Sequence, residues 1–302
     1  MDMDAPGLTE ILSKYALDPP WIVAVLALGL LYARGVWRGA SYARRPHPLR
    51  FQFAFYGGLL LVLVAALSPI EYWGNTLLWV NFLGFLILTM IAAPLLVLGA
   101  PLTLAFRASG PGGRRRLRWL YRRSPFSLLT HPIFTWLFFA VLTYAWQFTA
   151  LTELAANNAY LRDVQLLTLL FASVLFWISA LQVDPVRWRL GYPLRFLYVL
   201  LEMAHKALFG GMFLSLNTPF HEELAANLPA WAPSPMTDQR IAIVILWIGG
   251  SLLFLVALGY VLRQWLAFEA RNSHRIDRKL ALQRAAERER RRALDRVFQK
   301  EV

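Results

Sequence analysis

Seven mostly apolar segments, at about residues 21–37, 51–68, 77–99, 132–148, 164–182, 194–216 and 241–262, take up most of this 302-residue chain. A hydrocarbon core about 30 Å thick is crossed by roughly 20 apolar residues of helix. Charged residues make up 16% of the chain, against roughly 25% in an ordinary soluble domain. The expected fold is therefore all-α: a polytopic membrane protein whose seven transmembrane helices form one bundle. The expected division is an external tail over 1–20, a membrane domain over 21–262 and a basic cytoplasmic helical tail over 263–302.

A formal net charge of +13 would suit a nucleic-acid partner if it formed one patch, but it is distributed by connection. Arg38, Arg44, Arg45 and Arg50 follow the first segment, and Arg107, Arg114, Arg115, Arg116, Arg118, Arg122 and Arg123 follow the third. Arg187 and Arg189 follow the fifth, whereas the alternate connections are acidic, with Glu71, Glu153, Asp163, Glu222, Glu223 and Asp238. By the positive-inside rule the N-terminus lies outside and the C-terminus in the cytoplasm, as an odd number of crossings requires. The expected location is a bacterial cytoplasmic membrane. The stretch GPGGRRRLRWLYRRSP, with Trp119 and Tyr121 among its arginines, reads as an interfacial segment facing anionic lipid.

The start, MDMDAPGLTEILSKYALDPP, is acidic, whereas a cleaved signal peptide needs a basic n-region; the first segment is expected to stay as a helix. The chain has no cysteine, which excludes disulfides, thiolate metal sites and covalent haem attachment. Beyond Gly259 there is neither Gly nor Pro, so the last span is expected to continue as a helix into the tail. Its apolar residues Ile276, Leu280, Leu294 and Phe298 are too sparse for a self-sufficient coiled coil.

One segment carries charge where a bilayer tolerates it least. LEMAHKALFGGMFL places Glu202, His205 and Lys206 at i, i+3 and i+4, on one helical face. Intramembrane ionisable residues are candidates for function, and two readings are open here. Either Glu202 and Lys206 neutralise each other, or His205 is a metal ligand or proton carrier with Glu202 orienting its ring. Met203 and Met212 are poorly placed to share a metal with His205: one points away, the other lies seven residues along, about 10.5 Å. His221, beside Glu222 and Glu223, is a second candidate metal ligand or, as the simpler expectation, a solvated loop histidine. No Ser, His and Asp set or phosphate-binding glycine loop is evident, so an enzyme is not expected.

Four stretches resemble the seven-helix CtaG-type cytochrome c oxidase assembly factors. They are TMIAAPLLVLGAPL, HPIFTWLFFAVLTYAWQFTALTELAANN, RLGYPLRFLYVLLEMAHKALFGGMFLSLNTPF and DQRIAIVILWIGGSL, together covering about residues 50–270. The resemblance implies a membrane-embedded factor for a haem-copper oxidase, acting in copper-centre maturation or subunit stabilisation, with an oxidase subunit as partner. It also implies imidazoles at four positions where this chain has Asn81, Phe85, Gln147 and Leu166. Copper is therefore expected to be held transiently, if at all. The competing reading is a non-catalytic accessory subunit of a respiratory or other energy-transducing membrane complex that has lost metal binding.

Overall fold

The computed structural model describes residues 7–15, 18–43, 46–122 and 128–298, among which there are helices and no strand. We label α1 Pro19–Ala43, α2 Leu49–Leu67, α3 Leu78–Leu86, α4 Ala93–Leu98, α5 Pro101–Ala108 and α6 Pro111–Arg122. Then follow α7 Pro132–Gln147, α8 Ala159–Leu181, α9 Tyr192–Leu214, α10 Pro235–Val244 and α11 Gly250–Phe298. Two compact units divide the chain, Met1–Leu258 and Gly259–Val302, the second containing the part of α11 that begins at Gly259. That helix is continuous to Phe298, as the absence of Gly and Pro requires.

Six helices among the described residues are long and apolar enough to cross a membrane: Pro19–Ser41, Leu49–Leu67, Leu78–Ala108, Ala159–Leu181, Tyr192–Leu214 and Pro235–Ser273. The seventh expected span is α7, which has only 16 residues, about 24 Å of helix. At its start the His131 ring packs against Trp188 of the α8–α9 connection, with centroids 5.0 Å apart. At its end the Gln147 carbonyl lies 3.0 Å from His221 Nε2, in the loop after α9.

Helix α3 runs into α4 through a π-helical turn, Ile87–Ala92. Its cause is local: Pro94 lacks an N–H and its ring crowds the carbonyl four residues back, and a wider turn relieves both. In a membrane the loosened backbone groups need partners. The Trp177 indole N–H donates to the Thr89 carbonyl at 2.8 Å, and the Thr89 hydroxyl donates to the Phe85 carbonyl at 2.7 Å.

Carboxylates distant in sequence, Asp238 on α10 and Asp184 in the α8–α9 connection, close both ends of this broken span. Asp238 accepts from the backbone N–H groups of Leu78 and Trp79 at 2.9 and 3.3 Å, and Asp184 from those of Leu102 and Thr103 at 3.0 and 2.7 Å. Each meets N–H groups that a helix start leaves free, where the helix dipole also favours negative charge. Burial holds the Asp184 carboxyl above its ordinary 3.8, against the pull of those hydrogen bonds. Close approach of helices is secured by Gly58 and Gly210, where a Cβ would stand 2.9 Å from Leu96 and from Trp247. Gly211 has nothing within 4 Å, so only the first glycine of the pair serves packing.

Candidate functional site

Helix α9 turns Arg195, Tyr198, Val199, Glu202, Lys206 and Gly210 inward, so the i, i+4 spacing puts the carboxylate and the ammonium in the bundle interior. Glu202 is 0% exposed and Lys206 6%. Lys206 Nζ lies 3.7 Å from Glu202 Oε1, and His205 Nδ1 lies 3.7 Å from Glu202 Oε2. Both separations exceed hydrogen-bond range, and both carboxylate oxygens, the ammonium and Nδ1 are buried without a hydrogen-bond partner. What surrounds the ammonium is aromatic. Its nitrogen stands 4.8 Å from the ring centre of Phe139, 5.3 Å from Phe85 and 6.0 Å from Phe254, within the reach of cation–π attraction.

The structure thus brings Glu202, His205 and Lys206 together as the spacing requires, but as a loose cluster. More unpaired groups lie on α7, where the Thr143 hydroxyl and both polar atoms of the Gln147 amide are buried without partners. His205 is packed among Trp136, Tyr144 and Phe209, with ring centroids 5.0, 5.2 and 5.2 Å away. It also forms part of the wall of an apolar cleft of about 590 Å³ lined by α7 and α9.

The second candidate ligand, His221, is a correction to the expectation of a solvated loop histidine. It is 2% exposed. The loop folds back over the end of α7, where the Glu223 N–H donates to Glu153 at 3.0 Å and the Asn157 amide to Glu223 at 3.0 Å. Beneath that clamp His221 Nε2 meets the Gln147 carbonyl, and Nδ1 lies 3.9 Å from Glu153. Burial pushes the imidazole below its ordinary 6.5, although that carbonyl and Glu153 both act to raise it. A run of packed rings, Tyr144, Phe148 and Phe220, stands between His205 and His221.

The positions where the family resemblance implies imidazoles are Asn81, Phe85, Gln147 and Leu166, and all are buried. The Asn81 amide donates to the Gly74 carbonyl at 3.2 Å, while Phe85 and Leu166 belong to one hydrophobic core cluster. Copper prefers imidazole, thiolate or thioether donors, and these residues supply none. Among the described residues no three His, Asp or Glu side chains converge in a way that would hold a metal ion. The side chains at these four positions do not fit a copper site.

Sequence reasoning missed the Glu71–Arg162 pair, reading Glu71 as a charge of an outer connection. Both are buried. Arg162 Nε and Nη2 donate to the two Glu71 oxygens at 2.6 and 2.7 Å, and Nη1 donates to Gln165 at 2.8 Å. The usable signal was that Arg162 opens an apolar segment three residues before Gln165, a spacing that shares a helical face. Of the basic series, Arg115 and Arg116 are exposed on α6 and Arg114 is held by the Phe106 carbonyl at 3.0 Å. Arg123 and the side chains of Arg118 and Arg122 lie outside the described residues.

The described helices define an all-α polytopic membrane protein. The family model described as cytochrome c oxidase caa3 assembly factor matches residues 30–267, and the chain belongs to that family. It is 26% identical over 280 residues to an uncharacterised protein of Mycobacterium leprae, covering 90% of this chain and 42% of that relative. Uncharacterised proteins of Mycobacterium bovis and Mycobacterium tuberculosis each match at 26% over 284 residues, with the same shares. The chain thus spans less than half the length of these curated relatives. No solved structure matches it.

Proposed function

We propose that this chain is a non-catalytic factor of a bacterial cytoplasmic membrane that assists assembly of a haem-copper cytochrome c oxidase by stabilising a membrane subunit. The observation that carries this reading is the family match over residues 30–267. The interior directs the finer choice. Phe85 and Leu166 in the hydrophobic core replace two of the imidazoles that the resemblance implies, which supports stabilisation over copper delivery. Exposed Arg115 and Arg116 on α6 suit contact with anionic lipid on the cytoplasmic side.

Seven crossings, with the N-terminus outside, are supported by the arginine asymmetry and by the contacts that α7 makes at its two ends. A reporter after Val302 should be cytoplasmic and one at Ala225 external; a cytoplasmic Ala225 reporter would overturn this topology. A second reading, a permanent accessory subunit of a membrane complex, is favoured by the same loss of donors. Pull-down from native membranes with metal analysis separates the two. An assembly factor should co-purify with an oxidase subunit below stoichiometry, and its deletion should lower mature oxidase. A stoichiometric complex with fully assembled oxidase would favour the accessory subunit, and copper bound one per chain would sink the stabilisation reading.

A further inference from the structure

Buried polar atoms without a protein partner are few in a folded chain, and here they are concentrated. Among the described residues twelve such side-chain atoms occur, and eight of them belong to Thr143, Gln147, Glu202, His205, Lys206 and His221. The buried face of α7 carries Phe139, Thr143 and Gln147 at four-residue steps, each about 6 Å further along. Lys206 Nζ stands 4.8 Å from the Phe139 ring, and the Gln147 carbonyl meets His221 Nε2. The orphan groups thus form a column from the Glu202 and Lys206 pair to His221, whose other nitrogen lies 3.9 Å from Glu153. On the opposite side of the pair, towards the start of α9, the polar groups are closed. There the Thr135 hydroxyl lies 3.0 Å from Tyr198, 3.1 Å from Ser179 and 3.0 Å from the Pro132 carbonyl, and none of the three hydroxyls is orphaned.

We propose that a chain of water molecules fills this column and carries protons between the membrane face beside Glu153 and the Glu202 carboxylate. The pattern of donors and acceptors selects water. In the neutral His221 ring Nε2 faces a carbonyl and carries the hydrogen, which leaves Nδ1 an acceptor opposite a carboxylate. A molecule that donates twice, or a proton, joins those two. The Gln147 amide asks for a donor and an acceptor at once, Glu202 for donors and Lys206 for acceptors. A metal ion would be repelled by the ammonium and an anion by the carboxylate, and an apolar occupant would satisfy none of them. Leaving all of these groups dry would cost as much as a domain has in total stability. Chains of Glu and His are the usual material of proton relays inside membranes. A proton passed from hydronium along the chain turns Glu202 into a neutral carboxyl and leaves Lys206 as the one charge of the pair. Around that pair α3, α7 and α11 present the rings of Phe85, Phe139 and Phe254, while Tyr198, one turn before Glu202 on α9, and Tyr144, packed on His205, are the neighbouring titratable groups. The engaged hydroxyls around Thr135, and Arg195 bonded to the Ala180 and Leu181 carbonyls at 2.9 and 2.6 Å, end the chain on the far side. The route is therefore a half-channel and not a leak. Neither the oxidase served nor the topology enters this assignment, because Glu153 defines the mouth.

The chain has no cysteine, so an introduced one is its sole thiol. The test uses the full chain in sealed proteoliposomes of uniform orientation, with silver ion as a thiol probe small enough to follow a water path. Thr143→Cys should react from the Glu153 face and not from the other. Val199→Cys, at a 0% exposed position on α9, should react about 100-fold more slowly, since a dry thiol waits for local opening. Radiolytic hydroxyl labelling of the parent, which marks side chains beside ordered water, carries the test if Thr143→Cys does not fold. It should oxidise Phe139, 0% exposed, and spare Trp177, 2% exposed and the more reactive ring. A pH step on the Glu153 face should also move a protonated-carboxyl infrared band that Glu202→Gln removes, and the same step on the other face should leave it still. The proposal is overturned by a Thr143→Cys that reacts no faster than Val199→Cys or equally from both faces, by an unlabelled Phe139, or by a Glu202 band that answers to neither face or to both.

Discussion

Two acid–base pairs lie inside this bundle, and they are built in opposite ways. Glu71 and Arg162 meet as a fork on a fork, both oxygens bonded at 2.6 and 2.7 Å with Gln165 completing the guanidinium. Glu202 and Lys206 stand 3.7 Å apart with no hydrogen bond on either, and aromatic faces replace polar partners around the ammonium. A planar guanidinium matches a carboxylate in two places at once, whereas an ammonium is a point charge on a flexible stem. The first pair is closed and structural. The second keeps unspent hydrogen-bonding capacity, and His205 beside it lines the α7–α9 cleft.

The largest effect should come from breaking the closed pair. Arg162→Met strands Glu71 in the interior, and removing one partner of a buried pair costs about 3–5 kcal/mol. The folded fraction recovered in detergent should fall sharply, and adding Glu71→Gln should restore part of it, since neither charge is then left alone. If Arg162→Met melts like the parent, water reaches Glu71 and the two pairs do not differ in the way described.

Breaking the loose pair should cost less. Glu202→Gln removes the carboxylate but leaves Lys206 inside its three rings, and the loss is expected at about 2 kcal/mol, in the range for an unmet buried polar group. Lys206→Met on top of it should recover stability. A Glu202→Gln penalty equal to that of Arg162→Met would erase the distinction between the pairs. A Glu202→Gln variant as stable as the parent, with no gain from Lys206→Met, would mean that Lys206 reaches water or headgroups along its stem.

The same contrast explains what could be read from the sequence. Helix content and the membrane class follow from long apolar runs, which need no knowledge of neighbours. The Glu202, His205 and Lys206 cluster was legible because i, i+3 and i+4 fix a common face within one helix. The Glu71–Arg162 pair was not, since its partners are 91 residues apart and each looks like a loop charge in its own segment. Asp184 and Asp238 were hidden for the same reason, capping helices 82 and 160 residues away. The cleft depends on how far α7 and α9 diverge, which no periodicity encodes. Residue type alone also misled at His221, whose acidic neighbours suggest solvent while one of them, Glu223, helps pin the loop over it.

The smallest expected effect tests that loop, where a buried histidine outside the spans is coupled to pH. Burial depresses the folded-state pKa of His221 below its ordinary 6.5, so the folded form binds the proton less well than the open loop does. The linkage then has a definite sign: stability from the neutral ring is present above pH 6.5 and is lost as pH falls through the depressed value. Among the described residues Glu153, 3.9 Å from Nδ1, is the carboxylate paired with this ring, and it is already accepting the Glu223 N–H. Protease cleavage within residues 217–234, followed in nanodiscs, should therefore rise severalfold as the outer side is taken from pH 7.5 towards pH 5, with the membrane helices intact. His221→Gln keeps a donor for the Gln147 carbonyl and has no proton to gain, so its cleavage should be flat over the same range. Equal pH dependence in parent and variant would assign the effect to Glu153 and Glu223 instead, and faster cleavage of the parent at high pH would reverse the sign and remove His221 from the account.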